Sequence, residues 1–155
     1  MTTKEELYRQ LTAQLQSLIG DEHDETCVMA NAAALIHETF GFWWTGFYRV
    51  TNIDELLLGP FQGPVACHRI RRGRGVCGTA WQRGETVVVD DVEQFPGHIA
   101  CSAESRSEIV VPLTDTRGEV RAVLDIDSRE LAAFDDADSQ WLQRACQLIS
   151  QAVYD

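Results

Sequence analysis

Positive charge is scarce in this sequence: 13 Lys and Arg stand against 24 Asp and Glu, a formal net charge of −11. So acidic a chain repels phosphate backbones, and nucleic-acid binding, which depends on Lys and Arg releasing counterions, is not expected. A cationic or zwitterionic small ligand suits it better. No apolar run approaches the ~20 residues of a membrane span and no apolar signal segment follows Met1, so a soluble, cytoplasmic protein without a membrane partner is expected. Internal repeats, low-complexity tracts and Pro-, Gly- or Ser-rich linkers are also missing, and 155 residues then read as one domain. There is no C-x-x-C pair, no H-x-x-x-H and no G-x-S-x-G. Cys67, Cys77 and Cys101 with His68 and His98 hold enough donor atoms for zinc, but their spacing is wrong for a closed site, so no metal is expected.

Five cysteines, an odd number in a chain without a secretory signal, argue against a static disulfide framework and for thiols that are reduced at rest. Cys27 and Cys146 fall within amphipathic helix patterns, where a cysteine serves as a small buried hydrophobe. Chemistry is therefore sought at Cys67, Cys77 and Cys101.

Leu7, Leu11, Leu15, Leu18 and Ile19 recur at helical spacing and stop at Gly20; an Ala-rich run over 24–40 stops at Gly41. Residues 44–50, 55–58 and 65–70 read as strands parted by the Gly59-Pro60 and Gly63-Pro64 turns, and a short helix follows over 76–82. Strands at 86–89, 109–113 and 120–127 complete the set, the last two joined by a turn at 115–118. Asp135 caps a final helix with an acidic first turn and an apolar face of Trp141, Ala145, Leu148, Ile149 and Ala152. Helices at both ends and strands between them predict an α+β domain, a central antiparallel sheet covered by terminal helices.

The Gly73, Gly75 and Gly78 segment matches G-x-G-x-x-G but follows the polar run His68, Arg69, Arg71 and Arg72, so it predicts a tight turn into a helix rather than a dinucleotide site. That turn sets Cys77 in a first helical turn beside Arg72 and Arg74, a setting that lowers a thiol pKa; a cysteine merely packed against the sheet is the plainer alternative. In 65–70 a period of two puts Val65, Cys67 and Arg69 on one face and Ala66, His68 and Ile70 on the other. Cys101 lies in the longest irregular stretch, 90–107, where a loop can expose a side chain that a strand would hide; His98 and Arg106 are near it in sequence.

Alternation over 122–127 sends Ala122, Leu124 and Ile126 one way and Asp125 with Asp127 the other. Glu108 opens an adjacent strand and joins them if the two strands pair. Such clustered carboxylates either hold a substrate ammonium, with crowding raising one pKa enough to make a proton donor, or form a solvated strand face. Trp44 and Tyr48 align with only Gly46 between them, the makings of an aromatic slot or of ordinary core packing.

Taken together, residues 57–63, 73–81, 96–101 and 105–112, with Trp44-Thr45-Gly46-Phe47-Tyr48 and Leu124-Asp125-Ile126-Asp127-Ser128, resemble the free methionine-R-sulfoxide reductases, single GAF-domain enzymes. The likeness runs from about residue 41 to 138. It implies that Cys101 attacks the sulfoxide sulfur, that Cys67 resolves the sulfenic acid as a disulfide, and that Cys77 is a third cysteine of less settled role. It also implies that Glu108, Asp125 and Asp127 bind the substrate or help protonate its oxygen, and that Trp44 and Tyr48 enclose the methyl sulfoxide end. The preference for free L-methionine-R-sulfoxide comes from the resemblance alone, as does a homodimer. Physical chemistry by itself favours Cys77 as the activated thiol; the resemblance moves that role to Cys101. The chemistry needs no cofactor, and turnover needs a dithiol partner of the thioredoxin type. The rival reading is a ligand-sensing GAF module, which has no use for Cys67 and Cys101 together.

Overall fold

The computed structural model describes residues 1–98 and 103–155. Three long helices stand where the apolar spacing puts them. Helix α1, Lys4–Ile19, opens with a capping box in which Thr3 accepts from the Glu6 N–H and the Glu6 carboxylate accepts from the Thr3 N–H. Helix α2, Glu25–Phe40, is capped by Asp24 and ends at Gly41, whose φ of 68° suits a residue without Cβ. The last helix, Asp136–Val153, repeats the capping box with Asp135 and Asp138. Its buried face is Leu142, Ala145, Cys146 and Ile149, so the expected stripe is displaced: Trp141 and Leu148 are only partly buried flanks. Lys4, the sole lysine, pairs with Asp138 at 2.7 Å, and the Tyr8 hydroxyl donates to the same carboxylate, which pins the first helix to the last. Cys146 is buried as expected, whereas Cys27 is exposed.

Six antiparallel strands make the sheet: β1 Trp44–Val50, β2 Glu55–Gln62, β3 Arg69–Arg71, β4 Val87–Val89, β5 Ser107–Thr114 and β6 Val120–Ser128, in the order β3-β2-β1-β6-β5-β4. Two expectations fail here. Gly59 and Pro60 do not end β2; they oppose Phe47 alone, because Gly46 pairs with Phe61 and Tyr48 with Leu58. That extra residue is a bulge, and on its other side β3 pairs only as far as Leu57, so a proline without an N–H breaks no ladder there. The expected strand 65–70 shrinks to Arg69–Arg71, and residues 65–68 are irregular, so the two-face assignment of Val65, Cys67 and His68 does not hold.

The sheet carries two cores. On one face α1, α2 and the last helix, α4, cover Phe47, Ile109, Val111, Leu113, Ala122, Leu124 and Ile126. On the other face lies α3, Gly75–Arg83, with Val76, Ala80 and Trp81 against Tyr48, Val110 and Val123. Helix α3 sits tight against its entry: a Cβ at Gly78 would come within 2.4 Å of the Arg71 carbonyl oxygen, so only glycine admits this approach. Because α3 has nine residues, the second face is only partly roofed. The remainder is closed by connections, and a pocket opens among them.

Candidate functional site

The pocket is a small cavity of about 60 Å³ that opens to solvent at its mouth. Strand β1 supplies its aromatic wall. The Trp44 and Tyr48 rings lie 6.0 Å apart and nearly parallel, and Phe61 backs Trp44 at 5.3 Å. Gly46 between them is obligatory, since a Cβ there would meet the Trp44 ring at 2.6 Å and the Phe61 Cβ at 2.4 Å. Both polar tips are spoken for: the Trp44 indole donates to the Pro64 carbonyl at 3.0 Å, and the Tyr48 hydroxyl donates to the Cys67 carbonyl at 2.8 Å. The irregular 64–67 segment is thereby tied to the aromatic wall, with Pro64, Val65 and Ala66 on the pocket's edge. Cys67 itself is disulfide-bonded.

The carboxylates meet as the strand register requires. Glu108 pairs with Asp127 across β5 and β6, while Asp125 and Asp127 pair with Gly46 and Trp44 across β6 and β1. All three line the pocket, and Glu108 and Asp125 are each only 6 % exposed. This is not a solvated strand face. Asp127 accepts a hydrogen bond from the Ser105 hydroxyl at 3.1 Å, and Asp125 leaves Oδ1 buried without a partner. Among the described residues no salt bridge reaches any of the three. Burial pushes all three pKa values up, those of Glu108 and Asp127 far above the carboxylate range with a further push from neighbouring Asp125. The trio therefore carries protons at pH values where surface acids have lost theirs.

Cys77 does sit in the first turn of α3, after the Arg74 cap, but its expected activation is overturned. Burial, then the charges of Asp125, Glu108 and Asp127, pushes this thiol well above its ordinary pKa. Arg72, expected beside it, is stacked on Trp81 with its guanidinium 5.0 Å from the ring centre, and Arg74 lines the pocket from an exposed position. A desolvated thiol among acids is a poor nucleophile.

Cys101, the expected nucleophile, lies outside the described residues, with Ile99, Ala100 and Ser102. His98 and Ser105, which stand on either side of that stretch, both line the pocket. Burial lowers the His98 pKa, keeping the imidazole neutral. Arg106 is exposed, and its backbone bridges Ser128 and Val92.

Among the pocket residues that sequence reasoning gave no role are Trp43 and Ser105. Trp43 lies one position before β1, out of phase with the alternation that aligns Trp44 and Tyr48, and the Arg129 guanidinium lies 3.6 Å above its ring. Ser105 belongs to an irregular segment with no period to betray it. Each carried one available signal, Trp43 as an aromatic at a strand entrance and Ser105 as a hydroxyl just before the acidic strand.

A GAF domain family model matches residues 2–153. The free methionine-R-sulfoxide reductase of Escherichia coli (strain K12) is 44 % identical over 149 residues, covering 96 % of this chain and 87 % of that protein. Its namesake in Saccharomyces cerevisiae is 41 % identical over 157 residues, with coverage of 96 % and 87 %. An X-ray structure of the free methionine-R-sulfoxide reductase of Neisseria meningitidis in complex with its substrate matches with a TM-score of 0.95 at 50 % identity, covering 98 % of this chain and 91 % of that one. A pocket built on the sheet face opposite the long helices, with its acids and aromatics set by strand register, thus has the fold and the relatives to match, and the chain belongs to the GAF domain family, in the branch that includes the free methionine-R-sulfoxide reductases.

Proposed function

We propose that this protein reduces free L-methionine-R-sulfoxide to L-methionine. The observation that carries the reading is the unpaired acid trio: Glu108, Asp125 and Asp127 share a buried pocket with no salt-bridge partner among the described residues, beside an aromatic wall and between chain segments that flank Cys101. A free amino acid brings a cation as its α-ammonium. Its methyl sulfoxide end fits the slot of Trp44 and Tyr48, whose stacked rings are held flat by Phe61 and by their hydrogen bonds. A peptide-bound methionine has no such ammonium, and the small pocket favours the free amino acid over a chain.

The Cys101 thiolate attacks the sulfoxide sulfur as one of the protonated carboxyls gives up its proton to the leaving oxygen. In balance, thiol and sulfoxide yield a sulfenic acid on Cys101 and the thioether methionine. Cys67 then attacks the sulfenic sulfur, water leaves, and a disulfide forms between the two. The hydrogen bond from Tyr48 to the Cys67 carbonyl ties the backbone of Cys67 to the aromatic wall for this step. An external dithiol of the thioredoxin class restores both thiols by exchange. Neither metal nor organic cofactor enters. A cytoplasmic homodimer completes the reading; among the described residues no helix is long and apolar enough to cross a membrane.

The test is turnover of free and peptide-bound methionine sulfoxides, both sulfur epimers, with a dithiol reductant. Conversion of the free R form alone supports the proposal, and no turnover of either free epimer refutes it.

A further inference from the structure

The reaction as proposed leaves the thiol of Cys77 in the pocket unused. Its Sγ and one oxygen each from Glu108 and Asp125 lie within 4.8 Å of one another, and all three residues are buried. Asp125 contributes a second feature: Oδ1 is buried without a partner in a residue 6 % exposed on the pocket wall, while the Cys77 thiol and the Glu108 carboxyl lie within hydrogen-bonding reach of the same carboxylate. We infer that Cys77, Glu108 and Asp125 form a binding site for a thiophilic divalent cation of the Zn²⁺ class, and that the bound cation excludes the substrate's ammonium group. The binding stands on the donor set; the exclusion rests on the function proposed above.

A sulfur with two carboxylate oxygens suits Zn²⁺ or Cd²⁺, because thiolate is a soft ligand that Mg²⁺ and Ca²⁺, which take oxygen donors, do not select. His98, whose ring is held neutral by burial, lines the same cavity. Binding is an exchange of protons for metal: the Cys77 S–H and the protons held on the carboxyls leave, the metal–sulfur and metal–oxygen bonds form, and no electron is transferred. The cation is thus an inhibitor lodged in the ammonium's place, removable by a chelator.

Zn²⁺ affinity is measured by competition with a chromophoric chelator, and Cd²⁺ is titrated for its ultraviolet thiolate-to-metal band, both on protein carrying Cys67→Ser and Cys101→Ser so that neither proposed redox thiol competes. One equivalent is expected to bind with a thiolate band. Adding Cys77→Ser should abolish the band, and adding Asp125→Asn should weaken Zn²⁺ by at least about tenfold, as loss of even outer-sphere partners does. An unchanged affinity in both variants, or no thiolate band, overturns the site. In the second arm, pre-reduced wild-type protein releases methionine in a single turnover without added thiol, since thiols strip zinc. Zn²⁺ should raise the sulfoxide concentration required, and a chelator should reverse it; inhibition that persists undiminished in Cys77→Ser overturns the exclusion. If metal-free protein releases no methionine at all, the functional reading fails and the binding arm alone decides the site.

Discussion

The two faces of the sheet are made by the same strands and differ in nearly everything else. Along β6, Ala122, Leu124 and Ile126 point into the helical layer at 0 % exposure, while Val123, Asp125 and Asp127 point to the pocket side. The first face is sealed by three helices of sixteen or more residues, the second by one of nine and by connecting chain. An apolar side chain of that size contributes roughly 1.5–3 kcal/mol when buried, whereas a buried carboxylate without a partner costs stability. Both faces carry apolar core, but only the second also buries carboxylates, giving up part of its stability for a site for a charged ligand.

Substitutions on opposite faces should separate the two properties. The largest effect expected is on activity: Cys101→Ser should abolish single-turnover release of methionine while leaving the thermal midpoint of the unfolding curve nearly unchanged, and release comparable to wild type would move the nucleophile elsewhere. On the helix face, Leu124→Ala should cost about 2–5 kcal/mol of stability in denaturant unfolding, the range for a large-to-small core change. Its residual folded fraction should keep the wild-type KM. A shifted KM at full folding would show that the faces are not independent.

The acids should run in the opposite sense. Glu108 and Asp127 have pKa values raised on folding, so the folded state holds more protons than the unfolded one once pH exceeds the ordinary values of 4.5 and 3.8. Stability from this source is complete below that range and declines as pH rises toward the raised values. Glu108→Gln should therefore raise the thermal midpoint at neutral pH and flatten its fall with pH, while lowering kcat/KM by about tenfold or more. A lower midpoint at neutral pH would contradict the raised pKa. The smallest effect belongs to Tyr48→Phe, which removes the hydrogen bond to the Cys67 carbonyl. The first turnover should persist, and disulfide formation should slow severalfold, read by rapid quench and thiol labelling.

Much of this division was legible in the sequence. Alternation in 122–127 assigned Asp125 and Asp127 to the face opposite Leu124 because this part of β6 pairs with β1 and β5 without a register break, so period two survives. Trp44 and Tyr48 followed by the same logic. What failed lay where register breaks. Gly59-Pro60 reads as a turn locally, yet β1 accommodates it as a bulge, a tertiary fact. Residues 65–68 are drawn away from the strand, with the Pro64 and Cys67 carbonyls bonded to Trp44 and Tyr48. The pKa of Cys77 went wrong for a related reason: chain neighbours Arg72 and Arg74 were visible, but the acids that face it come from strands 30 to 50 residues away, about the spacing at which only pairing can bring groups together. The motif likeness supplied the function where the periodicities stopped, since no pattern of charge or spacing names a sulfoxide.

The central claim is that the buried acids capture a free ammonium so that Cys101 can act on the attached sulfoxide. It is tested most directly by comparing kcat/KM for free methionine-R-sulfoxide with that for its N-acetyl derivative, in wild type and in Asp125→Asn. The account predicts a strong preference for the free amine in wild type that largely disappears in the variant; equal turnover of the two substrates by wild type, or a preference untouched by Asp125→Asn, would contradict it.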